Sequence, residues 1–345
     1  MVGGSRNPVP VIDQLSWNLS PGPAFSSLPA GMETSLLSDS DIFRLTVRRF
    51  VVSKGIEQSS YSFSPVLWRQ LGELGVLGLG TPAGGGGVVE IASAMEELGS
   101  GGFVGPLVEG FIATHALDGD SESAHLVDGG TASVTWDRSI LPWGRTADVV
   151  LFVDHLDHAW TCRCESMEAI DTLGRDEWAR GSVECLRDLG TKHAAIAVGD
   201  IAVSGYVLGA ANRMLQLASE YARDRRQFGK SIGEFQAVSH PLARCLAKLH
   251  SARQLLARCV TLWDQGTSHD CSIAARSKLL STAVAKETSH AALQVHGAMG
   301  FVEGTLLTHL ARRVHHVSLL GAPQRRSVRV ALSSIIDRSR TDDTP

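Results

Sequence analysis

The residues best placed to do chemistry lie in two short blocks. The first is Tyr221-Ala-Arg-Asp-Arg225-Arg-Gln227-Phe228-Gly229-Lys230, which runs on to Phe235-Gln236. The second is Gln294-Val-His-Gly297-Ala298-Met-Gly300-Phe301. A planar guanidinium such as Arg225 can hold two phosphate oxygens at once. Exposed glycine backbone allows the close approach that a pyrophosphate requires. Together these groups suit the phosphate half of a dinucleotide. A plainer reading is also open for each. Arg-Arg-Gln at a helix end complements the helix dipole, and Gly297 and Gly300 serve as turn glycines.

Other chemistry-bearing residues fall short of a site. Cys162 and Cys164 would share a strand face, but no His or Cys cluster accompanies them, and no metal centre is expected. Gly84-Gly-Gly-Gly87 is not followed by Gly-Lys-Ser/Thr, so it is a turn and not a phosphate loop. His155, His158 and the neighbours His315-His316 lack a nucleophile elbow of the Gly-x-Ser-x-Gly type. Arg325, Arg326 and Arg329 form a basic helix start that is either a solvated face or a phosphate contact.

Elements must position these groups. Ser38 or Ser40 caps a helix through Ile42, Leu45 and Phe50. Further helices are expected over about 65–74, 88–98 and 104–117. Thr131–Trp136 and Ala147–Val153 are β-rich, with shorter strands over 159–164 and 182–186. From His193, Ile201, Leu208, Ala211, Leu215, Ala218 and Ala222 recur at helical spacing. Later helices cover 241–263, the first started at Pro241 because proline suits a first turn, then 273–296, 306–317 and 325–338. The expected fold class is mainly α with a small β-domain. Its parts are an extension (1–37), a helical domain (38–130), a reduced β-domain (131–190) and a C-terminal helical bundle (191–345).

The chain has 345 residues, 43% of them hydrophobic and 20% charged, with a net charge of -4. That length supports a large core. The charge gives no footprint for nucleic acid. No apolar run is expected to cross a membrane, and residues 1–37 lack signal-peptide character. Six cysteines without CxxC spacing fit reduced thiols in a cytoplasm.

The two blocks, in this order and on these helices, resemble the C-terminal half of the acyl-CoA dehydrogenase family, and the order helices, small β-domain, helical bundle is similar to that family's layout. The resemblance implies an acyl-CoA dehydrogenase-like fold with a C-terminal four-helix bundle. It implies that Arg225, Gln227, Phe228, Gln236, Gln294, Gly297 and Ala298 contact FAD, whose flavin sits in a neighbouring subunit. The family's usual Glu base corresponds to Gly321, followed by Ala322-Pro323. An alternative base position corresponds to Gly199, with Asp200 adjacent as the remaining candidate. The Thr-Glu-Pro…Gly-Ser-Asp and Trp-x-Ile-x-Gly-x-Lys runs of the β-domain are missing. The resemblance then implies a base-deficient subunit of a heteromer that α,β-dehydrogenates an acyl-CoA or carrier-bound acyl thioester. Two alternatives stand beside it. One is altered chemistry on the same scaffold, as a flavin monooxygenase or a non-redox cyclase or isomerase. The other is a non-catalytic scaffold subunit.

Overall fold

The computed structural model describes residues 38–54, 61–82, 84–174, 176–265 and 271–342, with side chains described as far as residue 333. The expected extension 1–37 lies outside the described residues. Leu37–Pro345 form one compact unit.

Five helices come first: α1 (Asp39–Ser53), α2 (Pro65–Glu73), α3 (Val88–Gly101), α4 (Leu107–Ala116) and α5 (Ser121–Val127). Ser38 is the cap of α1, in a reciprocal box with Asp41; Ser40 instead bonds Glu90. Ser64 caps α2 and Pro65 takes its first turn, where a missing N–H costs nothing. The tetraglycine is a turn: Gly85 and Gly86 have φ of 66° and 63°. A Cβ on Gly84 would lie 2.0 Å from the Gly78 carbonyl oxygen, so only glycine fits.

A five-stranded sheet follows, in the order β1-β3-β4-β5-β2. Its strands are β1 (Ala132–Thr135), β2 (Ile140–Leu141), β3 (Val149–Val153), β4 (His158–Ile170) and β5 (Trp178–Thr191). β1 and β3 pair in parallel, while β4 runs antiparallel to both β3 and β5. Strands β4 and β5 are much longer than the sequence pattern suggests. Their outer halves are solvent-facing and charged, so no apolar alternation marks them.

The chain then returns to helix: α6 (His193–Asp224), α7 (Gln236–Asp264), α8 (Cys271–His296), α9 (Leu306–Val317) and α10 (Gln324–Asp342). Between α6 and α7 lies a small hairpin, β6 (Arg226–Gln227) with β7 (Lys230–Ser231). α6 is the axis of the fold and packs on α3, α4, α7, α8 and α9. It is long and apolar enough to cross a membrane by length and composition, contrary to expectation. It is instead a core helix, with 94% of its most apolar window buried inside the protein. Gly205 and Gly209 set its contact with α3: a Cβ on Gly209 would come within 1.9 Å of the Glu96 carbonyl oxygen.

α7 also corrects the expectation. Pro241 lies inside the helix, which begins at Gln236. The proline sits close to the N-terminus, where only the first few N–H groups are unbonded, so it removes one internal bond without breaking the element.

Candidate cofactor-binding site

The two sequence blocks converge at one end of the C-terminal bundle. The Tyr221 ring at the end of α6 stacks on His296 at the end of α8, with centroids 4.4 Å apart. α6 stops at Arg225, whose backbone is extended and whose N–H still bonds the Tyr221 carbonyl. The chain reverses immediately: Arg226 pairs with Ser231 and Gln227 with Lys230. Phe228 and Gly229 form the two-residue turn, with φ of 52° and 82°. Positive φ at both positions defines the type I′ turn that matches strand twist. Ser231 Oγ donates to the Ala222 carbonyl at 2.6 Å and ties the hairpin back to α6.

This end carries most of the residues that the sequence singled out, and they face outward. Arg225, Gln227, Gln236, Gln294, Gly297 and Ala298 are all exposed. Gln227 Nε2 donates to the Arg226 carbonyl at 2.8 Å. Gly297 has φ of +57° with open space where a Cβ would stand, so its backbone is accessible. Phe228 is 92% exposed, and Phe301 72%. Phe228 meets Phe235 edge-on at 6.1 Å, and the Lys230 ammonium sits 4.3 Å above the Phe235 ring. Cations, amides, open backbone and unburied aromatics share this end of the bundle. A dinucleotide fits that donor set.

The interior around Gly321 has the opposite character. A Cβ on Gly321 would lie 3.3 Å from Val108 Cγ1, 3.5 Å from Lys278 Nζ and 3.7 Å from Val203 Cγ2. A Cβ on Gly199 would lie 2.5 Å from the Ile112 side chain. Val108 and Ile112 are one turn apart on α4, so a single helix face occupies both places. Lys278 donates to the Leu320 carbonyl at 2.9 Å and the Ala322 carbonyl at 2.6 Å, bridging the backbone on both sides of Gly321.

Asp200 is fully buried within this packing. Its Oδ1 lies 3.1 Å from Lys278 Nζ and its Oδ2 3.3 Å from Arg326 Nη1. It is not a helix N-terminal carboxylate, because α6 begins at His193, two turns earlier. Arg326 also grips Asp157, Nη2 to Oδ2 at 2.6 Å, and Asp157 receives His193 at 2.5 Å. Burial lowers the Lys278 pKa, and Asp200 opposes that shift.

A second buried group lies nearby. Arg313 holds Asp176 at 2.5 Å, His316 pairs with the same carboxylate, and Arg313 donates to Tyr206 Oη at 3.2 Å. Burial would raise the Asp176 pKa, but Arg313 and His316 hold it below the usual carboxylate range. Glu109 is 1% exposed, and neither carboxylate oxygen has a hydrogen-bond partner among the described residues. Burial pushes its pKa up to about 8.

Sequence reasoning passed over Lys278, Glu109 and the Asp176–Arg313–His316 group. A lysine among the small buried residues Ala274, Ala275 and Ser281 of α8 marks the first. A glutamate among Leu107, Val108, Phe111 and Ile112 marks the second. The basic run of α10 is dispersed: Arg326 is buried, Arg325 is exposed, and Arg329 bonds the His155 carbonyl. His315 is exposed while His316 is buried, as adjacent helical residues must diverge. His158 pairs with Asp188 at 2.5 Å. Among the described residues no group of three or more metal-ligating side chains occurs.

The scaffold is mainly helical, with a small sheet between an N-terminal and a C-terminal set of helices. The model of the acyl-CoA dehydrogenase C-terminal domain matches residues 192–321. Acyl-CoA dehydrogenase IpdE2 of Mycolicibacterium smegmatis is 28% identical over 279 residues, covering 77% of this chain and 87% of the relative. Among solved structures, one titled "PigA with FAD and proline" superposes with a TM-score of 0.76 at 19% identity, covering 88% of this chain and 99% of the other. Another, titled "Tcur3481-Tcur3483 steroid ACAD G363A variant", gives 0.72 at 21% identity, with 87% and 98% covered. Residues 192–321 belong to the acyl-CoA dehydrogenase C-terminal domain family, and the chain as a whole has the acyl-CoA dehydrogenase fold.

Proposed function

We propose that this chain is the base-deficient subunit of an FAD-dependent enzyme that α,β-dehydrogenates an acyl thioester, carried on CoA or on a carrier protein. A second acyl-CoA dehydrogenase-like chain supplies the base and most of the acyl pocket. One contrast carries the reading. The end bearing Arg225, Phe228, Gln236, Gln294 and Gly297 is exposed, while the surroundings of Gly321 and Gly199 are filled by Val108, Ile112 and Lys278.

When bound, FAD supplies the acceptor for the hydride leaving the β-carbon. The work of this chain's own residues is binding and orientation. Arg225 neutralises phosphate charge, Gln236 and Gln294 donate from their amides, and the Gly297 and Ala298 backbone approaches closely. Gln227 and Phe228 bring the hairpin against the cofactor. Asp200 is held between Lys278 and Arg326 as part of the frame and takes no substrate proton. Proton abstraction by a carboxylate falls to the partner.

The test is the visible spectrum of the purified chain, alone and copurified with a complete family member encoded beside it. The expected result is a colourless chain alone and a yellow complex with about one flavin per pair of chains. A flavin bound near one per chain by this protein alone overturns the subunit reading. A complex that never carries flavin overturns the cofactor assignment and turns attention to non-redox chemistry on the scaffold.

A further inference from the structure

Outside the bundle, the outer face of the sheet holds a feature independent of any flavin. Cys162 on β4 stands directly opposite Cys185 on β5. Their sulfurs are 3.7 Å apart. Directly opposed residues in an antiparallel pair have Cα atoms about 4.5–5.5 Å apart. That range lies within the span a disulfide bridges, about 4.4–6.8 Å. Both cysteines are free and half-buried.

The juxtaposition depends on an irregularity of the sheet. Thr161 pairs with Arg187, but the next residue, Cys162, pairs with Cys185. The strand skips Leu186, which is 54% exposed. Without that bulge, regular register would set Cys162 against Leu186 and the two sulfurs would never meet. The neighbouring Cys164 pairs with Val183 and has no thiol across from it.

We propose that Cys162 and Cys185 form an oxidation site, a cross-strand dithiol that peroxide converts to a disulfide locking β4 to β5. Burial, with the Cys185 sulfur next to it, pushes the Cys162 thiol up to about 12. One of the two sulfurs attacks a peroxide oxygen as its thiolate, the O–O bond breaks and hydroxide leaves, giving a sulfenic acid. The other sulfur then attacks the oxidised one, the S–O bond breaks and water leaves, the second thiol's proton going to the departing oxygen. Two thiols and one hydrogen peroxide give one disulfide and two waters. Two electrons pass from sulfur to peroxide.

The experiment uses the full chain, reduced, freed of reductant and treated with a small molar excess of hydrogen peroxide. Remaining thiols are alkylated and tryptic peptides are analysed without reduction. Arg163 lies between Cys162 and Cys164, so trypsin separates those two and the linkage is read directly. The expected product is a monomer that has lost two of its six thiols, with the Cys162 and Cys185 peptides joined and two hydrogens lighter, and with dithiothreitol restoring both. Cys164→Ser leaves that product unchanged. Cys162→Ser and Cys185→Ser each abolish it. A link from Cys185 to Cys164, a link only between chains, over-oxidation of single cysteines without a link, or six unreacted thiols would each overturn the proposal.

Discussion

Lys278 Nζ lies 3.1 Å from Asp200 Oδ1 and also donates to the carbonyls of Leu320 and Ala322. One buried cation therefore joins α6, α8 and the backbone around Gly321. Arg326 closes the other side of Asp200 and reaches Asp157 at the end of the β3–β4 turn. The network ties the sheet, the bundle and the 318–323 segment together around Gly321.

Lys278→Met removes the bridge and leaves Asp200 buried with Arg326 alone. Breaking a buried pair from one side costs about 3–5 kcal/mol. Chemical denaturation should show a loss of that order. Lys278→Met with Asp200→Leu should recover at least half of it, because a buried pair exchanged for apolar side chains is often neutral or better. If the double variant is no more stable than the single one, Asp200 is not held chiefly by Lys278.

Putting a carboxylate back at Gly321 should fail for a physical reason. The residue has φ of +64°, and a Cβ would already touch Val108 and Lys278. Gly321→Glu forces a residue with a Cβ into the left-handed region, at a cost of about 1–3 kcal/mol. It also places a second anion against Lys278. The expected outcome is a lower unfolding midpoint and no gain in dehydrogenation by the chain with added FAD. A folded, active Gly321→Glu chain would mean that the acyl space is open after all.

Most of the fold was legible in the sequence because its core helices are strongly periodic. Ile201, Leu208, Ala211 and Leu215 mark α6, and the bounds 306–317 of α9 follow from its apolar face. What escaped detection depends on tertiary contacts. The length of β4 and β5 is hidden because Glu165, Glu168 and Arg180 face solvent. The start of α7 is hidden because Pro241 is tolerated inside a helix whose N-terminal bonds are already few. The outward-facing blocks were found from residue type and order alone. The Lys278–Asp200–Arg326–Asp157 network was not, because its members are spread from 157 to 326 and meet only when the sheet and bundle pack.

Glu109 gives a pH dependence with a definite sign. Its carboxyl rises from 4.5 to about 8 on folding, because it is buried. The folded state therefore holds a proton that the unfolded state releases. That contribution is complete below pH 4.5 and is lost as pH rises through about 8. The slope approaches about 1.4 kcal/mol per pH unit within this window. Glu109→Gln cannot ionise, so its stability relative to the parent should improve steadily between pH 5 and 8. Parallel denaturation curves for the two proteins across that range would show that Glu109 is ionised in the fold.

Phe228 sets stability against assembly. A bulky L-residue at φ of 52° pays roughly 1–2 kcal/mol for the left-handed region, and at 92% exposure it recovers almost none of that by burial within this chain. Asparagine is tolerated in that region, and Asn-Gly is a favoured type I′ pair. Phe228→Asn should therefore stabilise the isolated chain by about 1 kcal/mol. The same change removes the aromatic that the hairpin presents outward. In the proposed heteromer it should lower flavin retention and weaken association, measured by analytical ultracentrifugation with absorbance at the flavin band. A variant that is more stable alone and equally competent in assembly would leave the strained Phe228 without the interface role assigned to it. A loss of stability in the isolated chain would mean instead that its edge contact with Phe235, and not a partner, keeps the ring in place.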